Sequence, residues 1–201
     1  MAIVPRSEHP RPDRLRKNWL TLNGPWRFAF DEKNVGKKEA WYRENPERVL
    51  LLGDLLYHGP RNDLPEGYDP REVIRMLNER KNRLLCVRGN CDTEVDQMVL
   101  DFPILADYAW IAGEGYRLFA THGHVYHAGN LPPLCPGDIL LHGHTHIPSW
   151  EENGSIRIFN PGSVSIPKAE SCHGYMMLED HCFLWKDLDG KIYHMEKAGG
   201  R

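Results

Sequence analysis

The stretch HGHTHIP places histidine at alternate positions, His142, His144 and His146, directly after the apolar run DILL. Neutral imidazole is the commonest transition-metal ligand, so the spacing could make a metal-binding edge. Three more polar clusters carry the same residue types: GDLLYHGP at 53–60, GNCD at 89–92 and THGH at 121–124. Together the four clusters offer one carboxylate (Asp54), one amide oxygen (Asn90) and three imidazoles (His122, His144 and His146). A mixed oxygen and nitrogen set suits Mn, Fe, Zn or Ni better than Ca or Mg, and the lack of thiolate ligands argues against a structural zinc knot. Gly53, Gly89, Gly123 and Gly143 let the backbone turn sharply or approach an anion closely, and a phosphate would fit.

Each cluster must be delivered by an element, and each follows an apolar run. RVLLLGD is continuous in apolar residues until Gly53 and Asp54, as strands buried on both faces are. DPREVIRMLNERKN has proline at its second position and Val73, Ile74 and Leu77 at helical spacing, so it reads as a helix. RLLCVRGN is a second buried strand ending in Gly89 and Asn90. The runs DYAWIAG and YRLFATHG, then DILLHGHTH and SIRIFN, continue the strands. GYMMLED, CFLWKDLDG and KIYHME read as a meander with turns at residues 179–181 and 188–190. Helix crossovers come early and strand pairs late, which predicts an α/β fold of two packed mixed β-sheets flanked by helices. Groups at strand C-termini gather on one rim in such folds. Taken singly, a cluster reads as a solvated turn, or as a helix cap for Asp54 or Asn90; four in a row, each after a strand, read as one site.

At 201 residues the chain can bury one full-sized core, and 41% hydrophobic with 26% charged residues is ordinary for a globular domain. A net charge of −3 with both signs interspersed leaves no basic footprint for nucleic acid and no polybasic stretch for a membrane surface. No run has signal-peptide or bilayer-spanning character, so the expected address is cytoplasmic. The five cysteines are odd in number and lack CxxC spacing, and are expected as free thiols.

The ordered set GD, GN, TH and GHTH resembles the calcineurin-like metallophosphoesterases. GDLLYHGPRNDLPEGYDP, VRGNCDTEVDQM and NPGSVSIPK look like their small bacterial YfcE-type phosphodiesterase branch, over about residues 46–195. The resemblance implies a hydrolase using two divalent transition-metal ions, manganese foremost, to activate a water for in-line attack on phosphorus. Asp54 would bridge the ions; Asn90, His122 and His144 would complete one shell, and His146 would belong to the other. Asp54, Asn90 and His122 carry the catalytic assignment. Cys91 stands where the family often has a histidine linked to the leaving group. A thiol is a poorer proton donor to an alkoxide, which implies a preference for diesters with acidic leaving groups; filling shape beside Asn90 is the equal alternative. His124 and His58 lie near enough to the rim to touch substrate, or are ordinary loop residues. Asn160, Gly162 and Ser163 would form a turn beside the site, with Lys168 near phosphate or simply solvated.

The family opens with a strand ending in Asp-x-His, and no Asp-x-His occurs in this chain. Residues 5–42 instead resemble the start of the sugar-binding domain of family 2 glycoside hydrolases, without the catalytic carboxylates. The expected organisation is therefore a foreign N-terminal segment, residues 1–44, replacing the first strand, and a metallophosphoesterase domain at residues 45–201. WRFAF could take the vacant strand position and place Asp31 as the missing carboxylate, with Lys33 disfavouring a first ion and single-metal occupancy the result. The expected function is a metal-dependent phosphodiesterase acting on small phosphodiesters, its activity lowered by the lost ligands. The alternative is an inactive scaffold of the same fold, as in the retromer coat. An incompletely covered sheet would favour a homo-oligomer.

Overall fold

A computed structural model describes residues 46–57, 59, 60, 64 and 67–199. The readings placed on residues 5–42, on Asp31 and on His58 lie outside the described residues.

Strand β1 (Val49–Leu51) pairs in parallel with β2 (Leu84–Cys86), Leu50 opposite Leu85. Helix α1 (Pro70–Glu79) lies between them in sequence. It starts where expected because the Asp69 carboxylate accepts the N–H groups of Arg71 and Glu72, both at 3.1 Å, and Pro70 needs no partner in the first turn. Both faces of β1 are covered, which is why its sequence does not alternate with polar residues. Leu50 and Leu52 enter the central core, whereas Val49 and Leu51 pack on the side of Val73, Ile74 and Leu77 of α1. A short helix, α2 (Glu94–Val99), follows β2; Thr93 and Asp96 close a reciprocal capping box at its start.

A five-stranded mixed sheet has the order β3 (Tyr108–Gly113), β4 (Tyr116–Thr121), β5 (Ile139–Leu141), β7 (Ile156–Asn160), β6 (Ser149–Asn153). Its three inner strands are parallel, and β3 and β6 run antiparallel at the edges. The β6 edge, SWEEN, is mostly exposed and polar, which hides a strand from hydrophobic patterning. The predicted meander is a separate antiparallel sheet of β8 (Gly174–Glu179), β9 (Cys182–Asp187) and β10 (Ile192–Lys197). Asp180 and His181 both take positive φ, the geometry of a two-residue hairpin whose twist matches its strands.

The expected α/β packing of sheets with helices is present, and the described strands divide into three hydrogen-bonded sheets rather than two. One buried cluster joins them: Leu50 and Val87, with Leu118, Ile139, Leu141 and Phe159 from the large sheet and Met176, Phe183 and Trp185 from the meander. The Trp185 indole N–H donates to the Asn160 carbonyl at 2.8 Å, so the core fixes the end of β7, whose Asn160 side chain holds the His-rich loop. No helix among the described residues is long and apolar enough to cross a membrane.

Candidate metal centre

Asp54 and Asn90 follow the parallel strands β1 and β2, and His122 and His144 follow the parallel strands β4 and β5. Parallel strands discharge their C-termini on one side, so these side chains share a rim. The turns that deliver them are tight. Asp54, His144 and His146 have φ of 55°, 65° and 62°, in the left-handed region that side chains seldom enter. Glycine is required where the two loops cross: a Cβ on Gly89 would sit 2.1 Å from Asp54 Oδ1, and one on Gly53 would sit 2.3 Å from the Gly89 nitrogen.

One potential ligand atom from each of Asp54, His122 and His144 lies within 4.8 Å of the others. The hydrogen bonds fix which atoms face the centre. His122 Nδ1 contacts the Leu52 carbonyl, a pure acceptor, so Nδ1 carries the proton and Nε2 points inward. Around Nε2 stand Asn90 Oδ1 at 3.0 Å, His144 Nδ1 at 3.1 Å and Asp54 Oδ2 at 3.4 Å. The Asn90 amide nitrogen is turned away, donating to Cys91 Sγ at 3.2 Å. Lone pairs from four side chains thus converge, an arrangement that repels itself unless a positive charge occupies it. A proton on Nε2 serves in part; a divalent cation serves all four donors, and the carbonyl that holds Nδ1 is the usual outer partner of a metal-ligating histidine. The residues present fit one divalent ion.

The same geometry sets the charges. Burial alone would raise the Asp54 carboxyl, but the hydrogen bond and charge of His122, with the Cys91 N–H at 2.9 Å, hold it below the ordinary carboxylate range. Burial, then the charge of His122, pushes His144 down to about 4. His124 is lowered for the same two reasons. A neutral His144 is the form that can ligate.

The remaining predicted residues are distributed around this cluster. His146 is buried and outside the close group of three; its Nδ1 meets the Ile166 carbonyl at 3.0 Å, and it lines a cleft of about 720 Å³ shared with Asp54, Asn90, Cys91, His144 and Lys168. Cys91 is half-buried in that cleft. His124 is exposed, its ring centroid 5.4 Å from that of His122, and it lines a second cavity instead. Asn160 is fully buried and braces the His-rich loop, its amide donating to the Gly143 carbonyl at 2.9 Å and to Thr145 Oγ1 at 3.0 Å, while its oxygen accepts the Gly162 N–H. His142 is buried, with Nδ1 against the Gly143 carbonyl at 3.1 Å.

Sequence reasoning missed Asp92. Its buried carboxylate accepts the backbone N–H groups of Gly89 at 2.7 Å, Asp54 at 2.8 Å and Leu55 at 2.9 Å. Burial raises this carboxyl, the backbone donors offset part of that, and Asp54 adds to it. The acid stands in the GNCD cluster, but its type alone could not separate a brace from a ligand.

A profile of the calcineurin-like phosphoesterase superfamily domain matches residues 34–181. Phosphodiesterase YfcE of Escherichia coli K12 is 50% identical over 142 residues, 71% of this chain and 77% of that protein. The solved structure of the E. coli phosphoesterase YfcE superposes with a TM-score of 0.80 at 41% identity, covering 86% of this chain and 100% of that one. Vacuolar protein sorting 29 from Cryptosporidium parvum superposes with a TM-score of 0.52 at 20% identity, covering 87% of this chain and 98% of its own, a likeness of fold alone.

Proposed function

The chain belongs to the calcineurin-like phosphoesterase superfamily, and we propose that it is a phosphodiesterase that hydrolyses small phosphodiesters with a divalent transition metal, manganese foremost. The observation that carries this reading is the convergence of Asn90 Oδ1, His144 Nδ1 and Asp54 Oδ2 on Nε2 of His122, the ring nitrogen turned away from the Leu52 carbonyl. Asp54, Asn90, His122 and His144 would hold an ion there, and His146 would serve a second if one binds. When bound, such an ion supplies Lewis acidity toward phosphoryl oxygen and lowers the pKa of water.

The chain's own groups bind and orient. Leu52 and Asp92 fix the ring of His122 and the loop of Asp54 before substrate arrives. Lys168 stands on the cleft wall and brings the positive charge that a phosphodiester monoanion needs. Cys91 Sγ, beside Asn90, is a weak proton donor for a departing alkoxide, so the reaction favours leaving groups that depart without a proton. With no Asp-x-His in the chain, single-ion occupancy and lowered turnover are part of the proposal, as are residues 1–44 being a segment apart from the domain at residues 45–201 and a cytoplasmic address. The gathered donors favour this reading over a non-catalytic scaffold.

The test is hydrolysis of bis(4-nitrophenyl) phosphate with added manganese, before and after chelation, by the natural chain and by His122→Ala. Turnover should require the metal and fall by roughly a hundredfold or more in the variant. Equal rates in the two proteins would leave the reading without support.

A further inference from the structure

A second cavity, of about 470 Å³, is lined by His144 together with His124, His127, Ala128, His142, Ile147 and Glu151. His144 lines both spaces, the cleft that holds Asp54 and Lys168 and this cavity. The centroids of His124 and His144 are 6.3 Å apart. The volume falls in the range of small-ligand pockets, although the proposed donor cluster does not use it.

Its chemistry differs from that of the cleft. Imidazole rings and the apolar groups of Ala128 and Ile147 suit a flat ring, because aromatic faces pair by stacking or by edge contact. Among the described residues, the lining contains no lysine or arginine, and Glu151 is its one carboxylate. A second phosphate or a carboxylate placed there would meet the Glu151 carboxylate with no lysine or arginine to balance it. The anionic phosphorus centre therefore suits the cleft with Lys168, and an uncharged arm suits this cavity.

We infer that this cavity takes an uncharged aromatic ester arm of the diester, so that Ala128, Ile147 and Glu151 determine which phosphodiesters the chain accepts. The inference rests on the proposed phosphodiesterase reading and adds to it a substrate class: diesters with at least one neutral aryl or heteroaryl arm. His142 is a positioning residue here, since its Nδ1 is engaged by the Gly143 carbonyl and its ring is held as part of the wall.

Diphenylphosphinate and dimethylphosphinate test this without turnover, because both carry their arms on P–C bonds, have no ester P–O–C bond to hydrolyse, and differ only in those arms. Calorimetric titration of the full manganese-loaded chain should show diphenylphosphinate bound roughly tenfold more tightly. Ala128→Phe fills the cavity and should remove that preference while leaving dimethylphosphinate affinity unchanged. Glu151→Trp, at an exposed position of β6, fills the same space from a different element and guards against a folding defect in the first variant. Equal affinities in the natural chain, or a preference that survives both variants, would overturn the inference. A chain that shows the preference but hydrolyses no diester would remove the proposed function and leave the cavity assignment standing. A chain that hydrolyses diesters without the preference would do the reverse.

Discussion

The carboxylate of Asp92 accepts the backbone N–H of Asp54 at 2.8 Å, so an acid outside the donor cluster decides where the acid inside it points. The same side chain takes the N–H groups of Gly89 and Leu55. It thereby ties the loop after β1 to the loop after β2. Asparagine in its place would present one oxygen and turn an NH₂ group toward a backbone donor. Asp92→Asn should cost about 1–3 kcal/mol of stability in urea titration and weaken manganese binding by about 10–100-fold. A loss of stability with unchanged metal affinity would show that Asp92 braces the fold and not the site.

Gly89 gives the sharpest steric prediction. A Cβ there would lie 2.1 Å from Asp54 Oδ1 and 2.3 Å from Asp54 N, and the obstruction is partly backbone. Gly89→Ala should displace Asp54 by a good fraction of an ångström and reduce kcat/KM by roughly a hundredfold. A variant crystal structure with Asp54 in place and normal rates would contradict the tight crossing.

The pH dependence of the metal-free protein has a defined sign. An unfolded histidine titrates near 6.5, whereas burial and the charge of His122 push His144 down to about 4 in the fold. As pH falls below 6.5 the unfolded chain takes up a proton that the folded chain refuses, so His144 destabilises the fold progressively, with the full penalty present below about pH 4. His144→Gln should therefore flatten the fall of Tm between pH 6.5 and 4, read by calorimetry in the presence of chelator. An unchanged slope would place the titrating group elsewhere.

Cys91 should be visible in leaving-group dependence. If its thiol is the weak donor at the cleft wall, rates across aryl phosphodiesters should rise steeply as the leaving phenol becomes more acidic, and Cys91→His should flatten that slope by supplying a better proton donor. The same slope in both proteins would mean that Cys91 fills space beside Asn90.

The rim was legible in the sequence because β1 and β5 are buried strands and β2 a partly buried one, and such strands write themselves as unbroken apolar runs that stop at the loops they deliver. Asp54, Asn90, His122 and His144 could therefore be read together as one rim from the sequence alone. The edge strand β6 was not legible, since SWEEN has no buried face to impose a pattern. Asp92 was missed because its partners are backbone N–H groups, which every residue possesses and no sequence displays. The second cavity was equally hidden: His124, Ala128 and Glu151 are brought together by the turn after β4 and the edge strand, two features without hydrophobic periodicity.

Manganese binding itself gives the most direct measurement. Titration of Mn(II) into the chelator-stripped chain, followed by electron paramagnetic resonance, should show saturable uptake of about one ion per chain with nitrogen coupling from histidine ligands. His122→Ala and His144→Ala should each abolish that uptake at the same ion concentration. Saturable binding of equal strength in either variant and in the natural chain would contradict the assignment of the ion to the Asp54, Asn90, His122 and His144 cluster.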